Sequence, residues 1–268
     1  MGKVIFIGAG PGAADLITVR GARLLAQADV VLFDALTDPA LKAYAPAAQW
    51  IHVGKRGFCD STGQATINAL LVKHAREANT VVRLKGGDPS VFGRLEEELG
   101  ALAHAGIACE VVPGVTAAIA AAAHTKRPLT RRGTGRSVSL ATAMTRSGDL
   151  NATRTADTEV FYMAGKQLAA LSRQLASAGW PEATSVSVVS RAGWPDALHS
   201  DHTVHTLSRA SMLHAGRPTI VTVGAGARAV SAPGQPMATP SAQTLKPLKS
   251  DASPAGEACP TATSKPEP

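Results

Sequence analysis

The chain has 268 residues, 45% hydrophobic and 18% charged, with 27 Lys and Arg against 20 Asp and Glu and a formal net charge of +7. That balance excludes a wholly disordered chain, and the length leaves one or two domains with a sizeable core. The longest apolar stretch, around Val115 to Ala123, falls well short of the roughly 20 residues that cross a bilayer, and the opening MGKVIFIGAGPG is not a secretory signal, so no membrane partner is expected.

Short β-branched runs alternate with helical patterns along the chain. Residues 3–8 (KVIFIG) read as a strand, after which Ile17, Gly21, Leu24, Leu25 and Ala28 recur at helical spacing. DVVLF (29–33) and WIHV (50–53) read as the next two strands. Ile67, Leu70, Leu71, Ala75 and Ala78 mark an amphipathic helix, followed by the strand TVVRLK (80–85). Leu95, Leu99 and Leu102 mark a further helix, and ACEVV (108–112) the fifth strand. Such alternation predicts an open, mainly parallel sheet covered by helices. A second set begins after the Pro-, Gly- and Arg-rich stretch PLTRRGTGR (128–136): SVSLAT (137–142), TEVFYM (158–163), a helix near 166–177, TSVSVV (184–189) and PTIVTVG (218–224). The fold class is therefore α/β, read as an N-terminal domain over 1–130 and a C-terminal domain over 131–230. The last 38 residues, 231–268, hold 8 of the 17 prolines and 16 Ala, Ser or Thr with no aromatic residue, and are expected to form a disordered tail. Lys246, Lys249 and Lys265 there balance Asp251, Glu257 and Glu267, so the whole positive excess lies in 1–230 and should attract something acidic.

The unusual clusters of the first half fall directly after strands: GAGPG (8–12), Asp34, GKRG (54–57), GGDP (86–89) and PGVTA (113–117). Parallel strands bring all of these ends to one edge, where ligands bind in open α/β folds. Glycines there admit close approach of backbone to a ligand. GAGPG with Ala13 and the later Asp34 fits the dinucleotide fingerprint, which keeps a nicotinamide oxidoreductase open, although Pro11 removes an amide donor from the turn. Asp34 and Lys55 facing one pocket would serve as proton acceptor and donor. The structural alternatives are that Asp34 caps a helix or joins an ion pair, that Lys55 and Arg56 are a solvated basic pair, and that Asp88 braces its own turn. His199, His202 and His205 suggest metal-ligand spacing, but an extended HTVHTL points His202 away from the other two, so no metal is expected. Cys59, Cys109 and Cys259 lack paired spacing, which favours a reducing, cytoplasmic setting.

GAGPG, VVLFDAL, VGKRG, VVRLKGGDPSVFGR, VVPGVTAA, RPLTRRG, TEVFYMAG and PTIVTVG together resemble, in order and spacing, the tetrapyrrole methylases over about residues 3–224, most closely over 3–133. The resemblance implies two α/β domains, a homodimer, and S-adenosyl-methionine held in the cleft between domains, with S-adenosyl-homocysteine as product and no metal. It implies transfer of two methyl groups in succession to carbons of uroporphyrinogen III, giving precorrin-2 for the sirohaem and cobalamin pathways. It makes Asp34 the proton acceptor and Lys55 the donor. It places Pro11, Gly86, Gly87, Asp88, Val91, Thr116, Ala117, Met163, Ala192 and Thr219 around S-adenosyl-methionine. Arg56, Arg94, Arg131 and Arg132, in or beside the matched motifs, would clamp the substrate carboxylates, since guanidinium pairs bidentately with carboxylate. Ser90 stands where the family has an aromatic residue, Leu95 and Glu96 where it has two glycines, and the segment after Thr142 lacks its TGH. No further amino-terminal domain is seen, so fused dehydrogenase and chelatase activities are not expected. Methylation of a later corrin precursor is the nearest alternative. A basic RNA-binding protein is another, against which stand a dispersed charge and only 10 aromatics (5 Phe, 2 Tyr and 3 Trp), so no nucleic-acid partner is expected.

Overall fold

The computed structural model describes residues 2–54, 63–143, 152 and 154–230; the tail, 231–268, lies outside them. The first sheet holds β1 (Lys3–Gly8), β2 (Val30–Phe33), β3 (Gln49–His52), β4 (Thr80–Lys85) and β5 (Cys109–Val112). Their order is β3-β2-β4-β1-β5, and every pairing is parallel, as the alternating pattern predicts. Val4, Ile5, Phe6 and Ile7 of β1 are all fully buried because helices cover both faces. Val4 and Phe6 meet Ile67, Leu71 and Ala75 of α2 (Gln64–Glu77) and Leu102 of α3 (Leu95–His104), whereas Ile5 and Ile7 meet Leu25 of α1 (Val19–Leu25). The apolar periodicities read from the sequence are the faces these helices bury. Thr18 starts α1 by accepting the Gly21 N–H on its hydroxyl.

The second sheet is mixed. It holds β6 (Val138–Thr142), β7 (Thr158–Tyr162), β8 (Ser185–Ser190), β9 (Leu198–Thr203) and β10 (Thr219–Gly224) in the order β6-β7-β10-β8-β9. Only β6 and β7 are parallel; β10 runs antiparallel to both β7 and β8, and β9 antiparallel to β8. One face packs on Leu168, Leu171 and Leu175 of α5 (Leu168–Ser177). The other packs on Ala118, Ala120 and Ala121 of α4 (Ala117–Thr125). Helix α4 thus follows a strand of the first sheet and buries its small side chains on the second. Both sheets belong to one compact unit. No helix among the described residues is long and apolar enough to cross a membrane.

Strand β9 carries few apolar residues, LHSDHT, because it is an edge strand paired only with β8. His199 and His202 sit three apart within it, on opposite faces, and His205 lies beyond its end. His199 Nε2 lies 3.0 Å from Ser187 Oγ, and His202 Nε2 lies 2.8 Å from Ser200 Oγ. Among the described residues no group of three or more His, Cys, Asp or Glu is arranged to hold a metal. His214 is fully buried between Ser190 Oγ and Ser200 Oγ, at 2.9 and 2.8 Å. Burial, with His202 nearby, lowers its pKa from 6.5 to about 4. Below pH 6.5 the unfolded chain therefore takes up a proton that the folded chain refuses until about pH 4, so this contribution to stability is present above 6.5 and lost across that interval. Thermal unfolding followed between pH 7 and 4.5 should show Tm falling more steeply for the native chain than for His214→Asn; parallel slopes would refute the assignment.

Candidate active site

The C-terminal edge of the first sheet is closed by contacts between its own loops. Gly10 and Gly87 form an antiparallel bridge, each donating its N–H to the other's carbonyl, at 3.2 and 2.7 Å. A Cβ on Gly8 would stand 2.5 Å from Gly114 Cα, and one on Gly114 would stand 2.4 Å from the Gly87 oxygen. Only side-chain-free residues permit that approach. Asp88 locks it: Oδ2 accepts the Gly114 N–H and Oδ1 the Ser90 N–H, both at 2.8 Å.

The second sheet faces this edge with the ends of β7 and β8 and the start of β10. Antiparallel pairing is what brings those three points together. The Ala13 N–H donates to the Gly193 carbonyl at 2.7 Å, and Trp194 Nε1 donates to the Pro11 carbonyl at 3.1 Å. The Tyr162 hydroxyl lies 2.7 Å from Thr116 Oγ1 and accepts the Ala118 N–H. Its pKa is raised by burial, against the opposing Thr116 hydrogen bond.

Between the two sheets lies a cavity of about 340 Å³. Its first-sheet wall includes Pro11, Gly86, Gly87, Asp88, Val91, Thr116 and Ala117, and its second-sheet wall Met163, Ala192 and Thr219. Asp34 and Arg94 also line it. Arg94 pairs bidentately with Glu97, at 2.7 and 2.8 Å, and that hydrogen bonding raises its pKa further. Arg131 and Arg132 do not line the cavity: Arg131 donates to the Arg228 carbonyl, and Arg132 is exposed. Lys55 and Arg56 lie outside the described residues.

Asp34 is held from several sides. Oδ1 accepts the Leu36 N–H and the Thr37 hydroxyl, each at 3.3 Å; Oδ2 accepts the Gly86 N–H at 3.4 Å and lies 3.8 Å from Arg83 Nη2. Arg83 and Lys85 line the cavity too and meet buried Glu98, with Arg83 Nε and Lys85 Nζ at 3.1 and 2.7 Å from its oxygens. Sequence reasoning missed these three, although signals existed. Arg83 and Lys85 occupy alternate positions of an otherwise apolar buried strand, where unpaired charge is not tolerated. Glu98 lies on the α3 face marked by Leu95 and Leu102. Tyr162, Arg191 and Trp194 also line the cavity, and no local pattern singled them out.

Backbone strain gathers here as well. Five non-glycine residues among those described have positive φ, and Phe92, Arg94, Met163 and Arg191, at 52–58°, all line the cavity; the fifth, Lys126, caps α4. Left-handed backbone costs such residues about 1–2 kcal/mol each. Leu36, Phe92 and Met163 are 48, 43 and 52% exposed and give the cavity an apolar rim.

The family model described as Tetrapyrrole (Corrin/Porphyrin) Methylases matches residues 3–208. The chain belongs to this family. It is 43% identical over 195 residues to a uroporphyrinogen-III C-methyltransferase of Pseudomonas aeruginosa, a match spanning 71% of this chain and 80% of that relative. A uroporphyrinogen-III C-methyltransferase of Bacillus subtilis is 40% identical over 83% of this chain, and a siroheme synthase of Hahella chejuensis 43% identical over 73%. The chain spans only 48% and 43% of the lengths of those two. Among solved structures, the Thermus thermophilus uroporphyrin-III C-methyl transferase complexed with S-adenyl homocysteine is similar at a TM-score of 0.73 and 33% identity, covering 83% of this chain and 97% of that one. The cobalt precorrin-4 methyltransferase CbiF is similar at 0.73 and 32%, covering 83% and 94%.

Gly114→Ala drives a methyl into the Gly87 carbonyl and should cost about 1–3 kcal/mol in denaturant unfolding. An unchanged unfolding midpoint would mean that these loops are not packed as described.

Proposed function

We propose that this tetrapyrrole methylase transfers methyl groups from S-adenosyl-methionine to carbons of uroporphyrinogen III, two in succession, to give precorrin-2. The observation that carries this reading is a single cavity joining a glycine-lined backbone edge, apolar walls and the carboxylate of Asp34. The fit to S-adenosyl-methionine rests on shape and chemistry. About 340 Å³ lies in the usual range for a small-ligand pocket, and the walls contributed by Pro11, Val91, Met163 and Ala192 suit an adenine ring and a thioether chain. Gly86, Gly87, Thr116, Ala117 and Thr219 complete the cradle, while Asp88 keeps its loop in place. When bound, S-adenosyl-methionine supplies an electrophilic methyl group on a sulfonium centre, so no metal is needed to activate it.

The chain's own contribution is alignment, exclusion of water and management of one proton. Carbon methylation leaves the macrocycle with a proton to lose. Asp34, held by Leu36, Thr37 and Gly86 with its side chain about a quarter exposed (26%), is the acceptor in this reading. Lys55 is the donor on the grounds of resemblance. The exposed rim of Leu36, Phe92 and Met163 offers a surface to the face of a macrocycle, and Arg94 beside it a guanidinium to its carboxylates. The net charge of +7 favours capture of so acidic a substrate. The likeness to CbiF supports a later corrin precursor as a second reading.

Calorimetry should detect S-adenosyl-homocysteine binding, and its absence would defeat the methylase reading. Anaerobic incubation with uroporphyrinogen III and labelled S-adenosyl-methionine should yield a dimethylated product by mass. Labelling of a later precursor alone would select the second reading. Asp34→Ala should lower turnover by about a hundredfold or more while weakening S-adenosyl-homocysteine far less. Equal losses would make Asp34 structural.

A further inference from the structure

Below Asp34 the cavity rests on a buried charge cluster. Arg83 and Lys85 leave β4 on one face and Glu98 enters from α3; the three side chains are 4, 5 and 1% exposed. Glu98 divides its carboxylate between them, Oε1 accepting Arg83 Nε and Oε2 accepting Lys85 Nζ, while Gln64 Nε2 adds a hydrogen bond to Oε1 at 3.3 Å. The rest of the Arg83 fork is directed elsewhere. Nη1 donates to the Leu32 and Leu84 carbonyls at 3.4 and 3.0 Å, and Nη2 faces Asp34 Oδ2 at 3.8 Å. Two cations against one buried carboxylate leave one positive charge in excess, and Asp34 is the acidic group facing it. Unbalanced buried charge is costly, so the cluster and Asp34 constrain one another.

We propose that Glu98 and Lys85 are positioning residues for Asp34, acting through Arg83. While the Lys85 ammonium occupies one oxygen of Glu98, Arg83 gives that carboxylate only Nε and keeps Nη2 for Asp34. Once Lys85 loses its proton, Arg83 is the cation left beside Glu98. A guanidinium fork then pairs bidentately with Glu98 and turns away from Asp34. The charged groups facing Lys85 are Arg83, Glu98 and Asp34; burial and then Arg83 lower its pKa, and Glu98 opposes both. Gly93 leaves room for the lysine stem, since a Cβ there would lie 3.1 Å from Lys85 Cε.

The proposal rests on the methyl-transfer reading, and two measurements separate the fate of one from the fate of the other. Turnover of the full chain is followed against pH for the native protein, Glu98→Gln and Lys85→Arg, with S-adenosyl-homocysteine binding as the check on folding. Removing the carboxylate takes away the partner to which Arg83 would turn when Lys85 loses its proton, so the alkaline limb should disappear in Glu98→Gln. A guanidinium does not titrate in this range, so the limb should move up or disappear in Lys85→Arg. A purely structural role would not abolish the limb while leaving S-adenosyl-homocysteine binding intact; an unmoved limb in both variants overturns the proposal. If Glu98→Gln fails to fold, Lys85→Arg alone decides. The second measurement titrates the Lys85 15Nζ resonance by NMR without substrate, assigned through Lys85→Arg. Its midpoint should lie below that of surface lysines, and a midpoint equal to theirs overturns the proposal whether or not methyl transfer occurs. Methyl transfer absent with the titration as expected would defeat the functional reading instead.

Discussion

The close approach of three backbone segments at Gly8, Gly87 and Gly114 is the constraint on which the site depends. With a Cβ on Gly8 only 2.5 Å from Gly114 Cα, and one on Gly114 only 2.4 Å from the Gly87 oxygen, any side chain would part the loops. Their contact lets the Asp88 carboxylate reach both its own turn and the Gly114 amide. It sets Gly86 where its N–H meets Asp34 and leads the chain into α4 at Thr116. A cavity wall made of backbone and small residues follows directly, since there is no room for anything larger.

Helix α4 carries that geometry across to the second sheet. Its run of alanines suits a helix and lies flat against Val160, Tyr162, Val189 and Ile220. The first-sheet edge is thereby seated opposite the ends of β7 and β8, and the Tyr162 hydroxyl closes the seam on Thr116. The left-handed backbone at Phe92, Arg94, Met163 and Arg191 is the conformational cost of turning loops from both sides into one cavity. Packing around the cavity must offset it, which explains why the strain is gathered there.

Much of this was legible in the residues. Val4, Ile5, Phe6 and Ile7 of KVIFIG and Val81, Val82 and Leu84 of TVVRLK are apolar on both faces because parallel strands are covered on both sides, and the i, i+4, i+8 repeat of Ile67, Leu71 and Ala75 matches the buried stripe of α2. The glycine clusters and Asp34 were legible as a site because they all follow strands of one parallel sheet. Strand β9 was read only at its end, as an extended HTVHTL (202–207), whereas it runs over Leu198–Thr203, because an edge strand needs no alternating apolar pattern to mark its bounds. Glu98 escaped because it stands in a run of three glutamates whose other two have no inward role, and only its helical phase distinguishes it. Arg131 and Arg132, grouped with the site by their motif, lie away from the cavity lining.

By itself the sequence determined the parallel sheet, the helices over it and the loops that carry chemistry, because periodicity and glycine placement report burial and backbone freedom within short windows. Tertiary structure decided how the second half completes the site. The antiparallel insertion of β10 between β7 and β8 carries Met163, Ala192 and Thr219 to one edge, and the meeting of Arg83, Lys85 and Glu98 under Asp34 joins two elements through the core. Strand direction and charge pairing are settled by which distant segments come to share a desolvated space. No local pattern encodes that.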